Sequence, residues 1–264
     1  FGGSDDQRLG LIGSSHDDTL IATSNYSEGF FTQHNLLRGL AGDDILMGLG
    51  GSDTLDGGAG SDTADYSLST AAVRIDLNLQ DGAAVQSGGA AGNDGDGDVL
   101  ISIENVTGSA FNDTLLGNAE ANVLSGLAGD DSLVGGAGAD VLDGGDGIDT
   151  ADYSASNAAV DVDLTRAVQI GGHADRDELT NIENLIGSKF ADTLTGDSGD
   201  NRIEGGDGND TLSGGAGHDT LDGGDGNDTA DYSASDEAVD VDLARAVQIG
   251  GHADLDKLKS IENL

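Results

Sequence analysis

The chain has 264 residues, with 50 acids against 10 bases for a formal charge of −40, and 45 glycines but no Pro, Cys or Trp. That balance excludes nucleic acid as a partner, because no basic patch exists to neutralise phosphate, and no apolar run is long enough to span a membrane. Such a glycine content would suit a disordered chain, and a charge this large opposes any compact state without counterions.

Residues 1–12 read as the tail of a repeating unit, with Leu11 in the place that Leu185 holds later. Gly13–Ile21 is a worn nonapeptide, residues 22–29 interrupt the phase, and Phe30–Arg38 resumes it with Asn35 at position 6. Three stronger copies follow from Gly39, Gly48 and Gly57. A second block of five nonapeptides runs from Gly108 to Asp152 and a third from Gly187 to Asp231. In each block the first two copies are degenerate and the last three are strong. Gly205–Asp231 shows the pattern best, as GGDGNDTLS, GGAGHDTLD and GGDGNDTAD: Gly at positions 1, 2 and 4, Asp at 6, Leu or Ala at 8. A period of nine does not suit a helix. It suits a six-residue turn, where Gly supports positive φ, followed by a three-residue strand with one inward apolar side chain.

Between blocks lies a different segment, Tyr153–Ile186, in which Val160, Val162 and Leu164 alternate with Asp161 and Asp163 as in a half-buried strand. Block and segment together make a larger repeat that starts at Gly108 and again at Gly187, and 30 of 37 positions are identical between residues 149–185 and 228–264. The first unit is longer, through the interruption at 22–29 and the loop QDGAAVQSGGAAGNDGDGD. We expect three units, 1–107, 108–186 and 187–264, joined as one continuous solenoid. Counting Tyr153–Asp161, Val162–Asp177 and Glu178–Ile186 as half-coils gives eight per unit. Four whole coils would then place the strong turns of successive units on one side, with Leu142, Val160 and Leu185 in unbroken columns.

The nonapeptide GGxGxDxUx, with U apolar, resembles that of the repeats-in-toxin (RTX, hemolysin-type) calcium-binding proteins. The resemblance covers nearly the whole chain and implies an all-β fold, a right-handed parallel β-roll with Ca²⁺ bound in Gly/Asp-rich turns. It points to the position 6 aspartates of the strong repeats as metal ligands: Asp44, Asp53, Asp62, Asp131, Asp140, Asp149, Asp210, Asp219 and Asp228. Stacked carboxylates repel unless a cation lies between them, and hard oxygen ligands select Ca²⁺. The bland reading is that these Asp only cap turns. Asn122 and Asn201 at position 6 should bind weakly or not at all. Asp113 and Asp192 lie in turns where Phe111 and Phe190 replace Gly, and the Phe rings are expected to cover the apolar interior. The D-x-D pairs Asp96/Asp98, Asp175/Asp177 and Asp254/Asp256 are further metal candidates if the spacing sets both carboxylates on one side of a loop; otherwise they are solvated acids.

Enzyme motifs are missing. GDSGD at Gly196–Asp200 is a worn nonapeptide, since Ser198 has no recognisable His–Asp partners. His218 occupies a variable turn position and should face solvent. The expected function is therefore a calcium-binding structural region of a large secreted or cell-surface bacterial protein: a stalk, surface-layer, matrix or adhesin element. The family implies type I export of an unfolded chain that folds on Ca²⁺ outside. The alternative is the calcium-binding module of an exported protease, lipase or alginate epimerase. Partners beyond calcium would be further copies of the chain or cell-surface polysaccharide, the latter disfavoured by few aromatics. The absence of Cys fits secretion. The opening at Phe1 and the recurrence of IENL at the end read as a piece of something larger.

Overall fold

The structure is a computed structural model that describes residues 10–22, 34–80, 86 and 94–264. The interruption at 23–29 and most of the loop before Asp94 lie outside the described residues. Among those described, the chain forms short strands joined by turns and three single-turn 3₁₀ segments, with no α-helix. The strands pair in parallel, each with the strand one coil away. This is the parallel β-roll that the resemblance to RTX repeats implies.

The described residues up to 118, with 122–132, form one compact unit, and 119–121 with 133–264 form a second. In the first, Gly10–Ile12, Leu36–Ala41, Thr54–Ala59 and Val99–Ile101 stack in that order. Their central residues make one apolar column, Leu11–Leu37–Leu55–Leu100. Leu20, Leu46, Ala64, Val106 and Leu124 make another. In the second unit the columns are Ala151–Leu185–Ile203–Leu221–Leu258 and Val162–Leu194–Leu212–Ala230. Nearly all of these side chains are fully buried. A three-residue strand points only its middle side chain inward, so position 8 carries the core alone.

The segment between blocks departs from the four-coil count. Asn184–Ile186 stacks directly on Thr150–Asp152, so a single coil separates them. Within that coil one side is built twice. Glu178–Thr180 sits on Val141–Asp143, at the edge of the older sheet. Asp161–Asp163 begins a new sheet beneath Thr193–Thr195. Two of the supposed half-coils therefore share one place, and the larger repeat holds an odd seven. Its consequence is visible inside the second unit. Thr150–Asp152 lies in the sheet of Thr220–Gly226, while its copy in the next repeat, Thr229–Ala230, lies in the sheet of Asp161–Asp163. Successive strong turns thus alternate sides, contrary to expectation. The phase at Val160 also shifts by two residues. Val162 holds the column and Val160 stands where a position 6 Asp would, its N–H donating to Asp192 Oδ1 at 2.8 Å.

Because one side chain per repeat carries the core, Leu212→Ala should cost about 2–5 kcal/mol, the range for cavities left by large-to-small changes. Thr211→Ala, on the outer face, should stay within about 0.5 kcal/mol. Urea unfolding of both variants in saturating Ca²⁺ checks the ordering.

Candidate metal centre

Each strong turn delivers its position 6 Asp to the start of a strand, where the carboxylate is buried. One oxygen is used by the fold. Asp44 N–H donates to Asp62 Oδ1 at 2.8 Å, Asp192 N–H to Asp210 Oδ1 at 2.8 Å, and Asn201 N–H to Asp219 Oδ1 at 2.9 Å. These bonds run between coils 18 residues apart and form a ladder. The other oxygen, Oδ2, is buried with no hydrogen-bond partner in Asp44, Asp53, Asp62, Asp210, Asp219 and Asp228. Asp131, Asp140 and Asp149 are buried at the same position of their turns. An anionic acceptor left dry in this way costs more than a neutral one, and its recurrence marks a place for a cation.

Position 1 must be Gly for this arrangement. A Cβ on Gly39 would collide with Asp44 Oδ2 and 2.6 Å away with the carbonyl of Gly57 on the next coil. A Cβ on Gly205 would meet Asp210 Oδ2 and the Gly223 carbonyl in the same way. Carboxylate and carbonyl oxygens therefore converge on one point with no donor between them, a donor set suited to Ca²⁺. Among the described residues no three carboxylate or imidazole groups gather around one site. A bound ion would accordingly draw most of its ligands from backbone carbonyls.

Position 2 separates the two kinds of turn. In all nine strong turns this residue has positive φ: Leu40, Leu49, Gly58, Leu127, Gly136, Gly145, Gly206, Gly215 and Gly224. In the worn turns it is Ser14, Ser109, Asn118, Ser188 or Asp197, none with positive φ. There its N–H donates to the position 6 side chain of its own turn. Ser14 N–H reaches Asp18 Oδ2 at 2.6 Å, Asn118 and Asp197 N–H reach Asn122 and Asn201 Oδ1 at 2.8 Å, and Ser109 and Ser188 bond Asp113 and Asp192 Oδ2. Worn turns cap themselves; strong turns rotate that donor away.

Several expectations need correction here. Phe111 and Phe190 do not cover the interior, being 44% and 37% exposed. Lys189 lies over the Phe190 ring at 5.6 Å instead. The two acids of each D-x-D pair do not share a side. Asp98, Asp177 and Asp256 are buried and stand in the ladder, accepting from Asp53, Asp140 and Asp219 N–H at 2.7, 2.9 and 2.8 Å. Their second oxygens accept from the hydroxyls of Tyr66, Tyr153 and Tyr232 at 3.0, 3.1 and 3.0 Å. Asp175 and Asp254 are exposed and Asp96 is half-buried. His218 is exposed, as expected. Sequence reasoning missed the tyrosines, although ADYS recurs before every excursion.

The model of the RTX calcium-binding nonapeptide repeat, four copies long, matches residues 32–64, 102–126, 116–151, 180–212 and 195–230, together about half of the chain. The chain belongs to this family. RTX repeats bind Ca²⁺ in their Gly/Asp-rich turns, and proteins that carry them are typically exported by type I secretion. No curated protein matches the chain.

Burial pushes the Asp53 carboxyl up to about 7 and those of Asp62, Asp210 and Asp219 to about 6. Neighbouring acids add to the shift, while ladder hydrogen bonds oppose it. With folded values above the unfolded 3.8, the metal-free roll loses stability as pH rises through 6–7 and gains it on acidification towards 4. Calcium instead needs the ionised form. Calorimetric titration should therefore show affinity falling as pH drops from 7.5 to 5.5, with proton release on binding near pH 6.

Proposed function

We propose that this chain is a structural element of a large exported bacterial protein, a β-roll of the kind used in stalks, surface layers or adhesins, assembled by calcium outside the cell. The observation that carries the reading is the recurring buried Oδ2 without a donor, at one position of successive turns. Asp44, Asp53, Asp62, Asp131, Asp140, Asp149, Asp210, Asp219 and Asp228 would hold the ions, together with carbonyls of the adjacent coil. In a cytosol poor in calcium, a charge of −40 keeps the chain open for export. Calcium outside neutralises the dry carboxylates and lets the apolar columns close. Near-identical copies of the larger repeat extend the roll by addition, which fits a spacer.

Circular dichroism tests this coupling. In excess EDTA the spectrum should be that of a disordered chain, and added Ca²⁺ should produce β-structure. A native β spectrum in EDTA would contradict it.

The ligand assignment has its own test. Asp219→Ala removes an open oxygen and should lower calcium affinity or cooperativity in calorimetric titration. Asn201→Ala, in a self-capped turn, should do much less. Equal losses would remove position 6 as the discriminating ligand.

A further inference from the structure

Each excursion is an insertion inside a single turn. Tyr153 stands 18 residues after Gly135, Tyr66 after Gly48 and Tyr232 after Gly214, so each tyrosine takes position 1 of a turn. Backbone bonds place them there too. A position 1 N–H donates to the last strand residue of the next coil, as Gly187 N–H does to the Glu204 carbonyl at 2.8 Å. Tyr153 and Tyr66 N–H donate in the same way to the Ile186 and Thr107 carbonyls at 2.8 and 2.9 Å. Position 6 of the same turn is held by Asp177, Asp98 or Asp256, which accepts the N–H of Asp140, Asp53 or Asp219 one coil below. First and sixth residues of these turns are therefore 24, 32 and 24 positions apart, where Gly39 and Asp44 are five apart.

A regular strong turn needs Gly at position 1. A Cβ on Gly48 would lie 2.6 Å from Asp53 Oδ2, one on Gly135 2.5 Å from Asp140 Oδ2, and one on Gly214 would collide with Asp219 Oδ2. One coil further on, a phenol ring extends from that same position. Its hydroxyl donates to the position 6 carboxylate of its own turn, at 3.1 Å for Tyr153 and 3.0 Å for Tyr66 and Tyr232. The oxygen it reaches is Oδ2, the atom that has no donor in Asp53 and Asp219 directly beneath. Tyr66 and Tyr153 are buried, as are all three aspartates. The contact is the same in the first excursion, although that insertion is longer and differs in sequence.

We infer that Tyr66, Tyr153 and Tyr232 are clasps, each closing an interrupted turn with a hydroxyl where a regular turn uses a cation. The inference rests on the calcium reading above and assigns these three residues the task of ending a column of ions. Because the clasp ties the first residue of the turn directly to the sixth, the strands on either side keep their register whatever the length of the insert. The roll can then display loops of different length, each closed at its base without an ion on that oxygen.

Tyr153→Phe removes the hydroxyl and leaves the ring. In saturating Ca²⁺ the number of ions bound in equilibrium dialysis should not fall. Urea unfolding under the same conditions should show the folding equilibrium constant lowered about tenfold or more, as for a lost hydrogen bond to a buried charge. In the Asp177→Asn background the same change should cost clearly less, since no charge is stranded. A ring that only fills space predicts an equal cost in both backgrounds, or none, and either result overturns the inference. An ion lost from Tyr153→Phe would make the phenol oxygen a ligand and overturns it as well. If Tyr153→Phe does not fold, the half-buried Tyr232 is read in the same way, as Tyr232→Phe with and without Asp256→Asn. Asp210→Asn with Asp219→Asn tests the calcium reading separately. If that variant loses no ion the calcium reading fails, whereas the clasp is judged by the coupling between tyrosine and aspartate.

Discussion

The structure depends on a single conflict between geometry and charge. Coils of a parallel roll stack at about 4.8 Å, and the repeat places a buried carboxylate at the same point of every strong turn. The backbone satisfies one oxygen of each through the ladder, as where Asp210 N–H donates to Asp228 Oδ1 at 2.8 Å. In Asp44, Asp53, Asp62, Asp210, Asp219 and Asp228 it offers nothing to the other. The apolar columns are thin, with one apolar side chain per nonapeptide. The chemistry of these oxygens suits a hard cation. On the function proposed above, the cation lets the core close, and metal binding and folding are one transition.

Proton, hydroxyl, backbone amide and cation are four ways to treat the lone pair of a buried carboxylate, and the chain uses its residues to choose among them. A left-handed residue at position 2 leaves the site to a cation. Ser, Asn or Asp with negative φ closes the turn by its own amide. Tyr153 fills the corresponding place over Asp177 and is itself buried, so that its phenol stays protonated through burial and the adjacent Asp177. These choices also shape the roll. The tyrosine-closed coil is where a sheet ends and its successor starts, so the seam and the change of chemistry coincide. An odd number of half-coils per unit then alternates the faces that carry strong turns.

Much of this was legible in the sequence. The period of nine marked the short strands and the column residues such as Leu194, Leu212 and Leu221, and the resemblance to RTX repeats implied their parallel stacking. Burial of the nine position 6 aspartates is seen only in the structure. The excursion was less legible because its strand phase is set by contacts with the next coil. Val162 is in register with Leu194, a relation that Tyr153–Asp161 cannot announce alone. Phe111 and Phe190 misled because an aromatic in a glycine position suggests a core role, while the turn simply points outward there. The separation of Asp175 from Asp177 arises from a hydroxyl 24 residues away, which local spacing does not carry. Position 2 was visible throughout as Gly or Leu against Ser, Asn or Asp, yet its meaning lies in the direction of a backbone N–H, and only coordinates display that.

The most direct test is a crystal structure of the calcium-loaded chain with the ions placed by anomalous scattering. The account predicts calcium against the Oδ2 atoms of turns whose second residue is left-handed, such as Gly206–Asp210 and Gly215–Asp219. It predicts none in the turns headed by Ser109, Asn118, Ser188 and Asp197, where an amide already holds the position 6 side chain. Calcium in the Ser188–Asp192 turn, or an ordered fold with the Oδ2 atoms of Asp210 and Asp219 left dry and without an ion, would contradict it.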